Sequence, residues 1–210
     1  MISTLRESSS PVGWSKDELD RYINDVYSDT AKETKAVVST VEIIAAEGQR
    51  FIKLPDDTIQ VLMLNDKSTG KPIDQVDWLW IDARNRTFAR KKNARARYAA
   101  TFGLGTLMLY PSYSPSGTVV AILVVNPQPL VNDSDIPALP QEFHQSLVYG
   151  ATHRAMMKDA TKERFKRGLE ELVRWQASLG GLSTWANRRH EAIRVSNWGK
   201  SLRNARSGRW

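Results

Sequence analysis

The chain has 210 residues, 41% of them hydrophobic, with seven Trp and no cysteine. That is enough apolar content for a core, as one domain or one domain with a sizeable insertion; disulfides and thiolate metal sites are excluded, which fits a reducing cytosol or a particle assembled there. Thirty Lys+Arg against 23 Asp+Glu give +7; residues 1–14 lack the basic start and apolar run of a signal peptide, and the longest clean apolar run, Val119 to Val125, falls far short of the roughly 20 residues that span a bilayer, so a soluble protein with no membrane partner is expected.

Residues 1–14 are polar and carry Pro11 and Gly13, an extended arm. Ser15-Lys16-Asp17-Glu18 then reads as a capping box, in which the Ser side chain takes the N3 amide and Glu18 reaches back. Leu19, Ile23, Val26 and Tyr27 follow at helical spacing, predicting a first helix over about Ser15 to Asp29.

From Ala36 to Val125 the period switches to two. Val37 to Ile44, Phe51-Ile52 and Thr58 to Leu64 read as strands, the last ended by the loop Asn65 to Gly70. Trp78 and Trp80 on one face of a strand, with Leu79 and Ile81 on the other, predict a two-faced strand covered on both sides or lying at a subunit contact. Leu107 to Tyr110 and Thr118 to Val125 read as a hairpin across Ser114-Pro115-Ser116-Gly117. The segment 84–97 holds seven basic residues and no acid.

A proline-marked crossing, Asn126-Pro127-Gln128-Pro129, leads to a loop with Asp133 and Asp135. Pro140 suits the first turn of a helix whose stripe is Phe143, Leu147, Ala151 and Ala155, with Gly150 beside it to admit a close neighbour. Phe165, Leu169, Leu172, Val173, Gln176 and Leu179 form a stripe on a second, strongly charged helix, which Gly180-Gly181 should end. Ser183 and Thr184 can cap a third segment containing Trp185, Ile193 and Trp198. Residues 185–210 carry seven Arg/Lys and one acid, so nearly all the net charge sits there; the last twelve have little core-forming content and need a partner to be ordered.

These pieces, in this order, resemble the head-to-tail adaptor proteins of short-tailed tailed phages. The matching segments are Ser15 to Leu19 with Tyr22-Ile23-Asn24; Phe51 to Leu54-Pro55-Asp56-Asp57; Tyr98 to Gly103; Leu107 to Pro111; and Leu139-Pro140 with Phe143-His144, Leu147-Val148 and Ala151. The resemblance implies an α+β fold: a small helical bundle with a β-rich insertion between the first and later helices, and an extended C-terminal tail. The corresponding division is 1–35 for arm and first helix, 36–130 for the insertion, 131–184 for the bundle and 185–210 for the tail. It also implies a virion protein assembled in the host cytoplasm, in a ring commonly of twelve copies. Such a ring sits under the portal protein, continues the DNA channel, touches genomic DNA transiently and seats a tail or nozzle protein. A ring needs heterologous contacts, one patch meeting a different patch on the next copy.

No catalytic constellation is present, so a non-enzymatic protein without cofactor or metal is expected. His144, His153 and His190 lack metal-ligand spacing. Asp133 and Asp135 read as turn and helix-start charge, Gly103-Leu104-Gly105 lacks the rest of a phosphate cradle, and no nucleophile elbow occurs. Two basic segments are the candidates for binding. Arg188, Arg189, Arg194, Trp198, Lys200, Arg203, Arg206, Arg209 and Trp210 form a candidate portal anchor, with Arg forks for carboxylates and Trp as apolar anchors. DNA, a neighbouring copy and plain solvation remain the other readings of the tail. Trp78, Trp80, Arg90, Lys91, Lys92 and Arg95 form a candidate subunit or tail contact. A channel that passes DNA gains only friction from lasting phosphate contacts, so an acidic partner suits this cluster better than DNA, against the plain reading of a solvated strand and loop. The alternative function is a nucleic-acid-binding module acting through the basic tail.

Overall fold

The computed structural model describes residues 13–84, 91–102, 105–158 and 161–206. The fold is α+β, with a first helix, a β-rich region and then the later helices. Contacts divide it into two compact units: Met1–Val37 with Asn126–Asn187, and Val38–Val125 with Arg188–Trp210.

The first unit is helical. Helix α1 (Lys16–Thr34) starts at the expected capping box: Ser15 Oγ accepts from the Glu18 amide at 3.2 Å, and a Glu18 carboxylate oxygen accepts from the Ser15 amide at 3.3 Å. The helix runs about a turn past the predicted end because Thr30, Ala31 and Thr34 are buried too, and it stops at Lys35, a left-handed residue whose N–H reaches Ala31 O. Helix α3 (His144–Met157) follows a 3-10 turn, Gln141–Phe143, just after Pro140. Gly150 lies against α1 so closely that a Cβ there would sit 2.5 Å from Val26 Cγ1. Helix α4 (Lys162–Arg206) packs by the same device: a Cβ on Gly168 would meet Met156 and Met157 at 3.3 Å, and Trp175 Nε1 donates to Thr30 Oγ1 at 3.2 Å.

The second unit is mainly β. Its three-stranded sheet has β9 (Gly117–Val125) between β1 (Val38–Ala45) and β3 (Thr58–Asp66), both antiparallel to it. A four-stranded sheet follows the order β2 (Phe51–Lys53), β7 (Thr106–Tyr110), β6 (Tyr98–Thr101) and β4 (Asp74–Gln75), and β5 (Lys92–Asn93) pairs with β8 (Ser112–Tyr113). Asp66 is buried and accepts from Ser68 and Thr69 hydroxyls, the Thr69 amide and the Tyr113 hydroxyl, all within 2.8 Å. Burial opposes its charge, but these bonds together hold its carboxyl below the usual range.

Four expectations are corrected. Residues 78–81 are not a strand but open helix α2 (Trp78–Arg84). The Asp77 carboxylate caps it by accepting the Leu79 amide at 2.8 Å, and a run of two Trp with Leu and Ile carries no period that separates the two states. The hairpin does not form: β7 pairs with β2 and β6, whereas β9 pairs with β1 and β3. Between them, Tyr113 turns inward to Asp66, and its ring sits where any Cβ on Gly117 would be, at 2.2 Å. Gly180-Gly181 does not end a helix, and Ser183 and Thr184 cap nothing; Thr184 Oγ1 bonds back to Gly180 O at 2.9 Å in mid-helix. The segment 185–206 is therefore helix rather than an extended tail. Two mid-helix glycines cost about 1 kcal/mol each relative to Ala. Burial of Leu179, Leu182 and Ala186 on either side, at about 1.5–3 kcal/mol for each Leu, outweighs that. The arm of residues 1–12 lies outside the described residues.

Candidate functional site

The histidines and loop acids singled out in the sequence take the following places. His144 Nε2 meets Leu139 O at 2.9 Å and His153 Nδ1 meets Gly168 O at 2.8 Å, each tying one helix end or crossing to its neighbour. His190 is buried. Asp133 pairs with Lys16 at 3.0 Å, and Asp135 accepts from the Val131 and Asn132 amides at 2.7 and 2.8 Å. Among the described residues no group of three or more His, Asp or Glu could hold a metal ion, and no helix is long and apolar enough to cross a membrane.

The basic C-terminal residues ride on α4. Its 45 residues give a rod about 68 Å long at 1.5 Å per residue. Arg188, Arg189 and Arg194 are exposed, while Ala186 and His190 on another face are buried. Trp198, Lys200, Arg203 and Arg206 continue along the same helical backbone, and Arg209 and Trp210 lie outside the described residues. A helix spaces these cations at fixed intervals, which an extended tail would not.

The second cluster separates. Trp80 packs at 5.0 Å on Tyr98, beside the small core of Ile81, Ala100, Met108 and Tyr110. Trp78 is exposed and meets Phe102 edge-on at 6.2 Å, and Phe102 in turn meets Phe51 at 5.5 Å. These three rings form an exposed apolar patch, and Leu79, next to Trp78 in the chain, is exposed as well. Phe51 and Phe102 were not among the expected site residues; the alternation of exposed Phe51 with buried Ile52 on β2 was the signal available. Lys91 and Lys92 are exposed on and beside β5, and Lys92 pairs with Glu47 at 3.5 Å. Arg95 is half-buried, its Nε donating to Ala96 O at 3.3 Å, and Arg90 lies outside the described residues. Beside the β1 edge runs an open groove of about 490 Å³, lined by Ile43, Ile44, Lys53, Leu54 and Pro55 among others.

A third surface was read in the sequence only as turn charge. The loop 130–138 is fastened to α1 at both ends: Asn24 donates to Leu130 O at 2.9 Å and accepts from the Leu130 amide at 2.7 Å, and the buried Tyr27 hydroxyl accepts from the Ala138 amide at 2.5 Å. Amide bonds from Asn132 and Val131 hold the Asp135 carboxyl below the usual carboxylate range, so it stays charged while it shapes the loop. Val131 and Ile136 stand out from this braced loop into solvent.

No curated protein matches the chain. The family model of the SU10 adaptor protein matches residues 2–197, across both units and most of α4. A match of that extent, on a fold with the expected order of helix, β region and helices, means that the chain belongs to the SU10 adaptor protein family, structural adaptors of the phage virion.

Proposed function

We propose that this adaptor forms a ring under the portal, extends the DNA channel and seats the tail, with no catalytic step. Its portal anchor is the distal part of α4, where Arg188, Arg189, Arg194, Lys200, Arg203 and Arg206 are spaced along a single helix, with Arg209 and Trp210 beyond it. The observation that carries this reading is the continuity of that helix through Gly180-Gly181. Cations on one helix keep fixed spacings relative to one another, so less ordering entropy is lost on docking to a carboxylate-rich surface than for a loose tail. The exposed patch of Trp78, Phe51 and Phe102, with Leu79, Lys91, Lys92 and Arg95 in the same unit, is proposed as the contact to a tail component.

The test is a chain ended after Val195, which keeps every buried position of α4 among the described residues and drops Trp198, Lys200 and the cations beyond. The shortened protein should melt within a few degrees of the full chain and lose binding to purified portal by at least about tenfold. Unchanged portal affinity would remove the anchor. A nucleic-acid-binding module remains the second reading, because a helix bearing six or seven cations can also neutralise phosphates. It requires binding of duplex DNA with a log–log salt slope of about −5 for six contacts; the adaptor reading expects weak DNA binding that leaves portal docking undisturbed.

A further inference from the structure

Helix α4 has a wider apolar arc than its own unit covers. Gly168, Leu179 and Leu182 are buried and Leu172 and Trp175 half-buried along one side. Phe165, Leu169 and Val173, one turn apart in succession, continue the arc outward and remain 47%, 42% and 64% exposed. At about 100° per residue, Lys162 and Lys166 fall within about 60° of the centre of that exposed stripe, and Glu163 and Glu170 lie about 100° or more away. The stripe is thus apolar with cations along it.

The same unit carries a surface of the opposite character. Val131 and Ile136 are 80% and 79% exposed, on the loop that Asn24 and Tyr27 fasten to α1 and that Asp135 braces from within. The segment 126–140 contains Asp133 and Asp135 and no cation. Lys16 pairs with Asp133, but Asp17 and Asp20 also act on Lys16, so the neighbourhood stays acidic. A flexible loop could fold such side chains away. Here two aliphatic groups are held in water on a rigid, acid-flanked loop, an arrangement that gains only when something covers it.

We infer that the two surfaces cover each other between copies: the loop Val131–Ile136 of one subunit docks on the Phe165–Leu169–Val173 stripe of the next. The inference rests on the ring reading above and names its contact. Apolar groups meet apolar groups, and Asp133 of the loop faces Lys162 and Lys166 of the stripe. The contact joins two different patches, so it repeats around a ring instead of closing at a dimer. Five principal side chains make a small contact, short of the roughly 800 Å² per partner of a stable interface, so free chains stay monomeric and the portal acts as template.

Because the chain has no cysteine, single thiols can be placed at will. Full-length Ile136→Cys and Leu169→Cys proteins are mixed on purified portal and treated with a short bis-maleimide. The expected product is the mixed dimer, with each variant alone giving none. A chain carrying both cysteines should give a ladder. As a second measurement, Lys166→Glu should weaken co-assembly about tenfold, and Asp133→Lys added to it should restore most of that loss. If multimers form on the portal without the mixed link, or Leu169→Cys links to portal instead, this contact is wrong and the ring stands. If sedimentation and linking show only single copies on the portal, the ring reading itself fails and the contact falls with it.

Discussion

The two halves of α4 are one helix with two kinds of support. From Lys162 to Asn187 it is tied to α1 and α3 through Gly168, Trp175 and the buried Leu179 and Leu182. From Arg188 on, the described exposed positions are Arg188, Arg189, Glu191, Ala192, Arg194 and Val195, with Ile193 half-buried and His190 buried. The first half is held by apolar burial, and beyond it the extension of an existing helix avoids the cost of nucleation. The glycine pair within the first half is tolerated because burial on both sides of it is stronger than the local preference to stop.

Leu182→Ala should break the supported half most severely. The residue is fully buried, so the substitution should cost about 3 kcal/mol and lower the melting temperature by roughly 10 °C, read by circular dichroism. A shift below 2 °C would mean that the helix is held elsewhere. Gly180→Ala probes the glycine pair. A Cβ there meets only open space, so the helix should gain about 0.5–1 kcal/mol and melt about 2–3 °C higher. A loss of stability would instead indicate a break at the glycines. The smallest effect on stability belongs to Arg188→Ala with Arg194→Ala, both exposed: within about 0.5 kcal/mol of the parent, with portal affinity reduced about tenfold. The reverse pattern, lost stability and unchanged docking, would move these arginines from anchor to scaffold.

A similar contrast separates Trp78 from Trp80. Adjacent alternation suggested that they share a face, yet one joins Phe51 and Phe102 at the surface and the other packs on Tyr98. The exposed aromatic patch draws on residues 51, 78 and 102, which no window of sequence brings together. The loop 130–138 was legible as a turn with two acids. Its rigidity was not, because the groups that fasten it, Asn24 and Tyr27, stand more than a hundred residues earlier.

By itself the sequence determined whatever rests on neighbours within a turn or two. The capping box at Ser15 and Glu18, the start near Pro140 and strands near 37–44, 51–52 and 58–64 follow from local spacing, and the α+β order follows from the family resemblance. Only the tertiary structure decided which strands pair, whether 78–81 is helix or strand, and that α4 passes through two glycines. Each of those choices is worth about 1 kcal/mol locally, and the burial of one distant Leu, Tyr or Ile is worth more.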